Sequence, residues 1–342
     1  MAATKRKSKT TTAPPQTATA TAQKPGGSTA FFGYMSMFAL SLQFGLQPLL
    51  NREFAGQVQS KALMVIVCEA CKLVLATMTL RMKLQREPTL LSTWTLAESL
   101  KFSGLPACTY AVQNVLIQMS MQNLTPLEFN LINQSKLIWT AVFVYLLLQR
   151  RFSFLQCVAM GMLMGASLLL SSGGGDTASV NQVDMDLRFY YGFIPVVTAS
   201  VLSGLGAAMT QLSLQTQGRD TSLVTIELCV YGALFLLANM AFQPTSLSFD
   251  GWTMWTLVPA ISSATGGLLV GAVTQFAGGV MKSYSLIGGI ALTGVLEAVL
   301  YNKALTNDLY VASALVVSSM YMYSSYPYTP SRASDSATKK EQ

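Results

Sequence analysis

Apolar segments of about twenty residues recur along almost the whole chain, and that recurrence limits what it can fold into. Twenty apolar residues wound as a helix match the thickness of a bilayer's hydrocarbon core. Only 11% of the 342 residues are charged and 51% are hydrophobic, against about 25% charged in a soluble domain. The pattern reads as an all-α polytopic membrane protein in contact with the lipid bilayer. Ten transmembrane helices are expected, at about residues 30–50, 59–82, 99–123, 126–149, 153–172, 188–216, 220–242, 252–277, 279–300 and 304–325. Residues 1–28, rich in Thr, Ala, Lys and Pro, lack the apolar core of a signal peptide and read as a disordered tail. Residues 326–342 form a second polar tail.

The basic residues give the orientation. One side collects Lys5, Arg6, Lys7 and Lys9, then Arg81, Lys83 and Arg86, then Arg150, Arg151 and Arg219, and finally Arg332, Lys339 and Lys340. The other side holds Arg52, Arg188 and Lys303, beside a long loop made acidic by Asp176, Asp184 and Asp186. By the positive-inside rule the first side is cytosolic, and an even number of spans puts both termini there. The net charge of +7 therefore reports orientation, and no nucleic-acid partner is expected. Asn123-Leu124-Thr125 matches a glycosylation sequon, but it hugs the membrane and precedes Pro126.

The two halves resemble each other. Glu69 in span two and Glu227 in span seven are 158 residues apart, and Pro106 in span three and Pro259 in span eight are 153 apart. Five spans per half is odd, so the halves, about 30–172 and 188–325, are expected as inverted five-helix repeats within a transporter domain of 30–325. Such repeats place a binding site at their interface near the midplane.

Two lysines stand inside the apolar runs. Lys136 lies in the middle of span four, and Lys282 opens span nine. An ammonium near the bilayer centre costs about 2.5–3.5 kcal/mol on insertion scales, so it faces a cavity or a partner. For Lys136 the alternatives are an anionic ligand or an ion pair with Glu69, Glu128 or Glu227. Gly278-Gly279 precedes Lys282, either as a helix break that offers free N–H groups to an anion or as a tight cytosolic turn.

Other polar residues accompany them. Tyr110, Gln113 and Asn114 fall at i, i+3, i+4 and share a helix face. A phenol and two amides suit a nucleobase edge and ribose hydroxyls, while hydrogen bonding between helices is the plainer alternative. Asn133 and Lys136 are i, i+3 neighbours. Glu69 and Lys72, at the same spacing, read as a structural or gating ion pair. Glu227 and Tyr231 at i, i+4 are expected to face the cavity. Gly161-x-x-x-Gly165 and Gly267-x-x-x-Gly271 are expected to let helices approach closely.

Several chemistries are disfavoured. There is no histidine, which removes His-based acid–base chemistry and His metal ligands. The five cysteines all fall in apolar spans, and the pair Cys68 and Cys71 has no second pair to complete a metal set. The acids are too scattered for Mg²⁺-dependent phosphate transfer. No enzyme activity, metal or cofactor is expected.

The stretch Gly104-Leu105-Pro106-Ala107-Cys108-Thr109-Tyr110-Ala111-Val112-Gln113-Asn114, then Phe129 through Lys136 with Thr140-Ala141, resembles the nucleotide-sugar transporters of the drug/metabolite transporter superfamily. Glu69-Ala70-Cys71-Lys72 and Met281-Lys282 fit the same branch, which holds the CMP-sialic acid, UDP-galactose and UDP-N-acetylglucosamine transporters. Gly279 where animal members have Asn, Val224-Thr225-Ile226-Glu227 where they have Trp-Val-Arg-Asn, and Phe129 where sialic acid carriers have Tyr make the chain similar to plant-type ER UDP-N-acetylhexosamine transporters. The resemblance implies antiport of a UDP-sugar against UMP across a Golgi or endoplasmic reticulum membrane. It implies nucleoside contacts from Tyr110, Gln113 and Asn114 and phosphate contacts from Lys136 and Lys282. Phe129, Asn133 and Tyr231 complete the expected substrate-binding set. Lys339-Lys340-Glu341-Gln342 has the form of a dilysine retrieval signal, which implies a coat partner on the cytosolic side. Exporters of other metabolites on the same fold, and a membrane scaffold whose polar residues only pack, are the rival readings.

Overall fold

A computed structural model describes residues 27–92, 94–124, 126–172, 188–242, 248–301 and 305–328. The retrieval lysines Lys339 and Lys340, the acidic loop residues, Thr125 of the sequon and Lys303 lie outside the described residues. Every regular element among those described is helical. They are α1 (Gly27–Ala55), α2 (Lys61–Arg86), α3 (Leu96–Ser99), α4 (Leu105–Met121), α5 (Pro126–Asn133), α6 (Lys136–Leu148), α7 (Phe154–Ser172), α8 (Ile194–Gln211), α9 (Thr221–Phe242), α10 (Leu257–Phe276), α11 (Gly279–Tyr301) and α12 (Asn307–Ser325). The first helix therefore begins slightly before the expected end of the N-terminal tail.

Seven segments among the described residues are long and apolar enough to cross a membrane: Leu63–Arg86, Glu128–Leu148, Phe154–Ser171, Phe189–Thr216, Thr221–Asn239, Met254–Phe276 and Gly279–Tyr301. The other helices at expected span positions are α1, α4 and α12. Helix α1 carries a polar ladder in which Gln43 donates to Gln47 and Gln47 to Asn51. Helix α4 has 17 residues and extends back through a π turn at Leu100–Gly104 to α3. Large apolar side chains such as Phe38, Met78, Leu146, Leu237 and Val299 are exposed on the outer surface, where a bilayer would cover them.

Prolines shape two helix entries. Pro106 and Pro195 lack an N–H and clash with the carbonyl four residues back. In each case a π turn, Leu100–Gly104 or Phe189–Phe193, runs directly into the Pro-bearing helix. The wider turn absorbs the lost i−4 bond.

Close contacts fix the packing register. Gly206 of α8 sits against Thr109 and Tyr110 of α4, and Gly192 against Leu124, so α4 and α8 run antiparallel. Gly204 lies on the Trp139–Thr140 backbone and Ser200 Oγ reaches Ile132 O, so α6 runs parallel to α8. Ser41 Oγ donates to Ser285 O and Thr293 Oγ1 to Gly45 O, so α1 runs parallel to α11. Gln47 Nε2 donates to Pro259 O while Gly33 faces Phe276, so α1 and α10 are antiparallel. Helices α2 and α9 are antiparallel through Thr79–Ser222 and Lys83–Asp220. Helices α7 and α12 are antiparallel through Gln156–Tyr323 and Ser153–Tyr326. These registers gather Lys83, Arg151, Arg219 and the end of α12 at one end of the bundle. Arg151 Nη1 donates to Tyr328 Oη there at 3.3 Å.

The largest buried cluster joins Met37 and Leu40 of α1, Leu137 and Ala141 of α6, Leu163 of α7, and Val280, Met281 and Tyr284 of α11. Of the two glycine motifs, only one lies at a close approach. A Cβ on Gly267 would meet Lys72 Cε at 2.6 Å and one on Gly271 would meet Thr221 Cγ2 at 2.6 Å, whereas Gly161 and Gly165 face open space. Gly204 is packed as tightly, since a Cβ there would meet the Trp139 carbonyl carbon at 2.6 Å. Of the five cysteines, Cys157 is exposed, Cys229 is buried and the other three are half-buried.

Candidate functional site

Lys136 is the first residue of α6 because its span is broken. The backbone tightens over Asn133, Gln134 and Ser135. Ser135 N bonds Ile132 O and Leu137 N bonds Gln134 O, both three residues back. The helix resumes with Thr140 Oγ1 donating to Lys136 O at 2.7 Å.

Lys282 lies in the first turn of α11. Helix α10 ends as Ala277 N and Gly278 N both bond Val273 O, and Gly278 takes φ +94°, a conformation that favours glycine. The next residue already starts α11, so Gly278-Gly279 forms a tight turn. Its first amide is not left open: Gly279 N–H donates to Gln211 Oε1 at 2.9 Å. Of the two alternatives left open for this glycine pair, the structure shows the turn, with the Gly279 amide already occupied.

The first turn of α11 packs on α6: a Cβ on Gly279 would stand 3.4 Å from Thr140 Cγ2, and Leu137 shares a cluster with Val280 and Met281, which brings the residues next to both lysines together. Neither ammonium group has a hydrogen bond or ion pair among the described residues. Every carboxylate weighed as a partner for Lys136 is engaged elsewhere. Glu69 pairs with Lys72 at 2.5 Å, Glu128 with Arg188 at 2.5 Å, and Glu227 with Arg219 at 2.7 Å. Glu227 is thus held in a structural cluster with Arg219, Ser103 and Trp94 and does not face the lysines as expected.

Gln113 Oε1, Ser135 Oγ and Ser285 Oγ are buried without a hydrogen bond; Ser135 adjoins Lys136 and Ser285 is one turn beyond Lys282. Buried polar groups are normally satisfied; Gln43 Oε1, Ser167 Oγ, Ser213 Oγ and Trp252 Nε1 are likewise unsatisfied elsewhere in the bundle. Tyr110 packs on Gly206, with its hydroxyl 3.4 Å from Thr210 Oγ1. Asn114 is exposed and Asn133 half-buried at the end of α5. The structure does not bring all the expected residues together. Phe129, 8% exposed, packs with Leu124 and Val196. Tyr231 bonds Ser99 Oγ at 2.9 Å and stands beside Glu227 in a separate cavity of about 470 Å³. Sequence reasoning missed Gln211, Thr140, Thr210 and Ser285. Gln211 alone gave a signal, as a long amide in a largely apolar span.

Comparison with known proteins decides the family. A family model described as nucleotide-sugar transporter matches residues 32–324. The chain belongs to the nucleotide-sugar transporter family. It is 38% identical over 295 residues to the UDP-N-acetylglucosamine transporter ROCK1 of Arabidopsis thaliana, covering 84% of this chain and 90% of that one. It is 25% identical over 271 residues to the probable UDP-sugar transporter protein SLC35A4 of Homo sapiens, covering 76% and 82%. The Xenopus tropicalis protein of that name is 25% identical over 224 residues, covering 64% and 69%. A solved crystal structure superposes with a TM-score of 0.64 over 86% of this chain and 96% of its own, at 14% identity, and so shares the fold. As a nucleotide-sugar transporter the protein is a multi-pass helical membrane carrier, not an enzyme.

Proposed function

We propose that this nucleotide-sugar transporter brings a UDP-sugar of the UDP-GlcNAc or UDP-GalNAc type into the ER or Golgi lumen and returns UMP to the cytosol by alternating access. The observation that carries the reading is the Lys136–Lys282 pair, which lies where α6 meets the first turn of α11 and has no ion pair among the described residues, with the unsatisfied hydroxyls of Ser135 and Ser285 near the lysines in sequence. A nucleotide phosphate supplies the missing counter-charge, and both exchange partners contain one. Tyr110, Gln113 and Asn114 serve the nucleoside, with Asn133 beside them. The printed name of the Arabidopsis relative supports the N-acetylglucosamine choice.

In this reading residues 30–325 form ten spans as two inverted repeats, 30–172 and 188–325, with cytosolic tails 1–28 and 326–342. Exchange of the halves supports it. Helix α1 packs parallel to α11 as α8 does to α6, and α1 antiparallel to α10 as α8 does to α4. The pairs that exchange into themselves, α2 with α9 and α7 with α12, are antiparallel, as a two-fold axis in the membrane plane requires. Glu69–Lys72 acts as a gating or structural pair, and Lys339-Lys340 as a coat-recognised retrieval signal.

The test is exchange in proteoliposomes preloaded with UMP or CMP and offered labelled nucleotide sugars. UMP-stimulated entry of a UDP-N-acetylhexosamine is expected. No stimulation by any preloaded nucleotide refutes antiport, and a preference for CMP-sialic acid or UDP-galactose corrects the substrate.

A further inference from the structure

We propose that Gln211 is a positioning residue for the exchange reaction, holding the first turn of α11 so that Lys282 points at the ligand's phosphate. The inference rests on the antiport reading and assigns a residue outside its ligand-binding set. Gln211 is 2% exposed, and both ends of its amide are used. Its Oε1 accepts Gly279 N–H at 2.9 Å, and its Nε2 donates to Gln215 Oε1 at 2.8 Å. Gln215 Nε2 donates in turn to Thr274 O and Gln275 O, each at 2.9 Å. Gln275 Oε1 accepts from Thr221 Oγ1. One continuous run of oriented amides therefore ties the end of α8 to the end of α10, the start of α9 and the start of α11.

The geometry transmits this order to Lys282. The first N–H groups of a helix have no partner within it, and leaving one unsatisfied in a dry site costs about 1–3 kcal/mol. Gly278, at φ +94°, turns the chain so that the Gly279 amide meets Gln211. A Cβ on Gly278 would stand 3.0 Å from Gln211 Nε2, and one on Gly279 3.3 Å from Oε1, so the glycine pair leaves the space that the amide fills. Lys282 N–H bonds Gly278 O at 3.1 Å, which closes the same turn. Among the described residues, every hydrogen bond joining α4, α5, α6 and α8 with its following π turn to α1, α10 and α11 belongs to this glutamine run. With the apolar packing of Leu137 and Ala141 on Val280 and Met281, it sets where Lys282 sits relative to Lys136.

The experiment compares wild type, Gln211→Leu and Gln211→Glu in proteoliposomes by two readouts: amide hydrogen exchange over residues 277–283 and the KM for UMP against the maximal rate. Leucine removes the acceptor, whereas glutamate keeps it. Gln211→Leu is expected to speed exchange of the α11 first-turn amides by at least about tenfold and to raise KM by at least about fivefold. Gln211→Glu is expected to restore slow amide exchange, since it keeps the acceptor for the Gly279 N–H. Unchanged amide exchange in Gln211→Leu overturns the proposal, as does a reduced maximal rate with unchanged KM, or a glutamate variant whose amides exchange as fast as those of the leucine variant. Gln215→Leu carries the same test with a smaller shift should Gln211→Leu not yield folded carrier. If wild type itself shows no nucleotide-stimulated exchange, the antiport reading fails, and amide exchange alone decides whether Gln211 orders the turn.

Discussion

Glutamine in place of Glu227 should destabilise the carrier strongly, although it changes one atom. The Glu227 carboxylate accepts four hydrogen bonds. Oε1 takes them from Trp94 Nε1 at 2.8 Å and Arg219 Nη2 at 2.7 Å; Oε2 takes them from Ser103 Oγ at 2.5 Å and Arg219 Nη1 at 2.8 Å. An amide turned either way points its NH₂ at two of these donors. The side chains of Glu227 and Arg219 are only 7% and 10% exposed, so water replaces little of what is lost. Breaking a buried pair from one side costs about 3–5 kcal/mol because the other charge stays behind. Removing both charges with apolar residues of similar size is often close to neutral. The double variant Arg219→Leu/Glu227→Leu should therefore be more stable than either Glu227→Gln or Arg219→Leu alone. The assay is the fraction of monodisperse carrier that survives heating, followed by fluorescence-detected size exclusion. Midpoints several degrees below wild type are expected for both single variants, with a smaller drop for the double. A Glu227→Gln midpoint within about 1 °C of wild type, or a double variant as unstable as the summed singles, refutes the reasoning.

Lys136→Ala should reduce nucleotide-stimulated exchange in proteoliposomes by at least about tenfold, since a lost charge-assisted phosphate contact is worth about 1.5–3 kcal/mol, with normal size-exclusion behaviour. Lys136→Arg keeps the charge but replaces a compact ammonium with a planar fork, and partial activity is expected; full activity would show that charge alone is required. Gly204→Ala places a Cβ 2.6 Å from the Trp139 carbonyl carbon and should lower thermal stability by about 1–3 kcal/mol through overpacking. Gly161→Ala, which meets nothing, should leave the melting curve unchanged or raise it through helix propensity, by up to about 1 kcal/mol. Gly278→Ala forces a Cβ into φ +94°, so a stability loss of about 1–3 kcal/mol should appear in the same heating assay.

The helical segments were legible because hydropathy over twenty residues is a local property of the chain. The ion pairs were legible only where both members share a helix face, as Glu69 and Lys72 do. Arg219 lies eight residues before Glu227, across the turn that opens α9, and no helical spacing points from one to the other. Without Arg219, Glu227 read as a cavity residue and carried Tyr231 with it. The glycine contacts failed for a related reason: Gly161-x-x-x-Gly165 satisfies a spacing rule, but which helix faces it depends on tertiary packing. Gly204 and Gly206, at no such spacing, lie where α6 and α4 cross α8. Gln211 escaped notice because an amide in a largely apolar span looks alike whether it packs or caps, and its partner Gly279 lies 68 residues further along the chain.

Under the antiport reading, the two kinds of intramembrane charge in this chain explain why exchange is coupled. Glu69–Lys72 and Glu227–Arg219 carry their own counter-ions, so helices that move with them leave no charge uncompensated. Among the described residues Lys136 and Lys282 have none, and like charges held near each other disfavour one another. Sealing an ion out of water without a partner costs several kcal/mol even after relaxation. Closing over the empty site exacts that penalty for two ammonium groups, whereas closing over a nucleotide lets its phosphate neutralise them. A ligand shifts a conformational equilibrium only by its difference in affinity between states, and about 5.5 kcal/mol of difference shifts a two-state ratio by about 10⁴. Two unpaired cations supply a term of that order. A carrier that closes only when loaded must return loaded, and a UDP-sugar and UMP both satisfy the requirement because each brings a phosphate to the same pair of lysines.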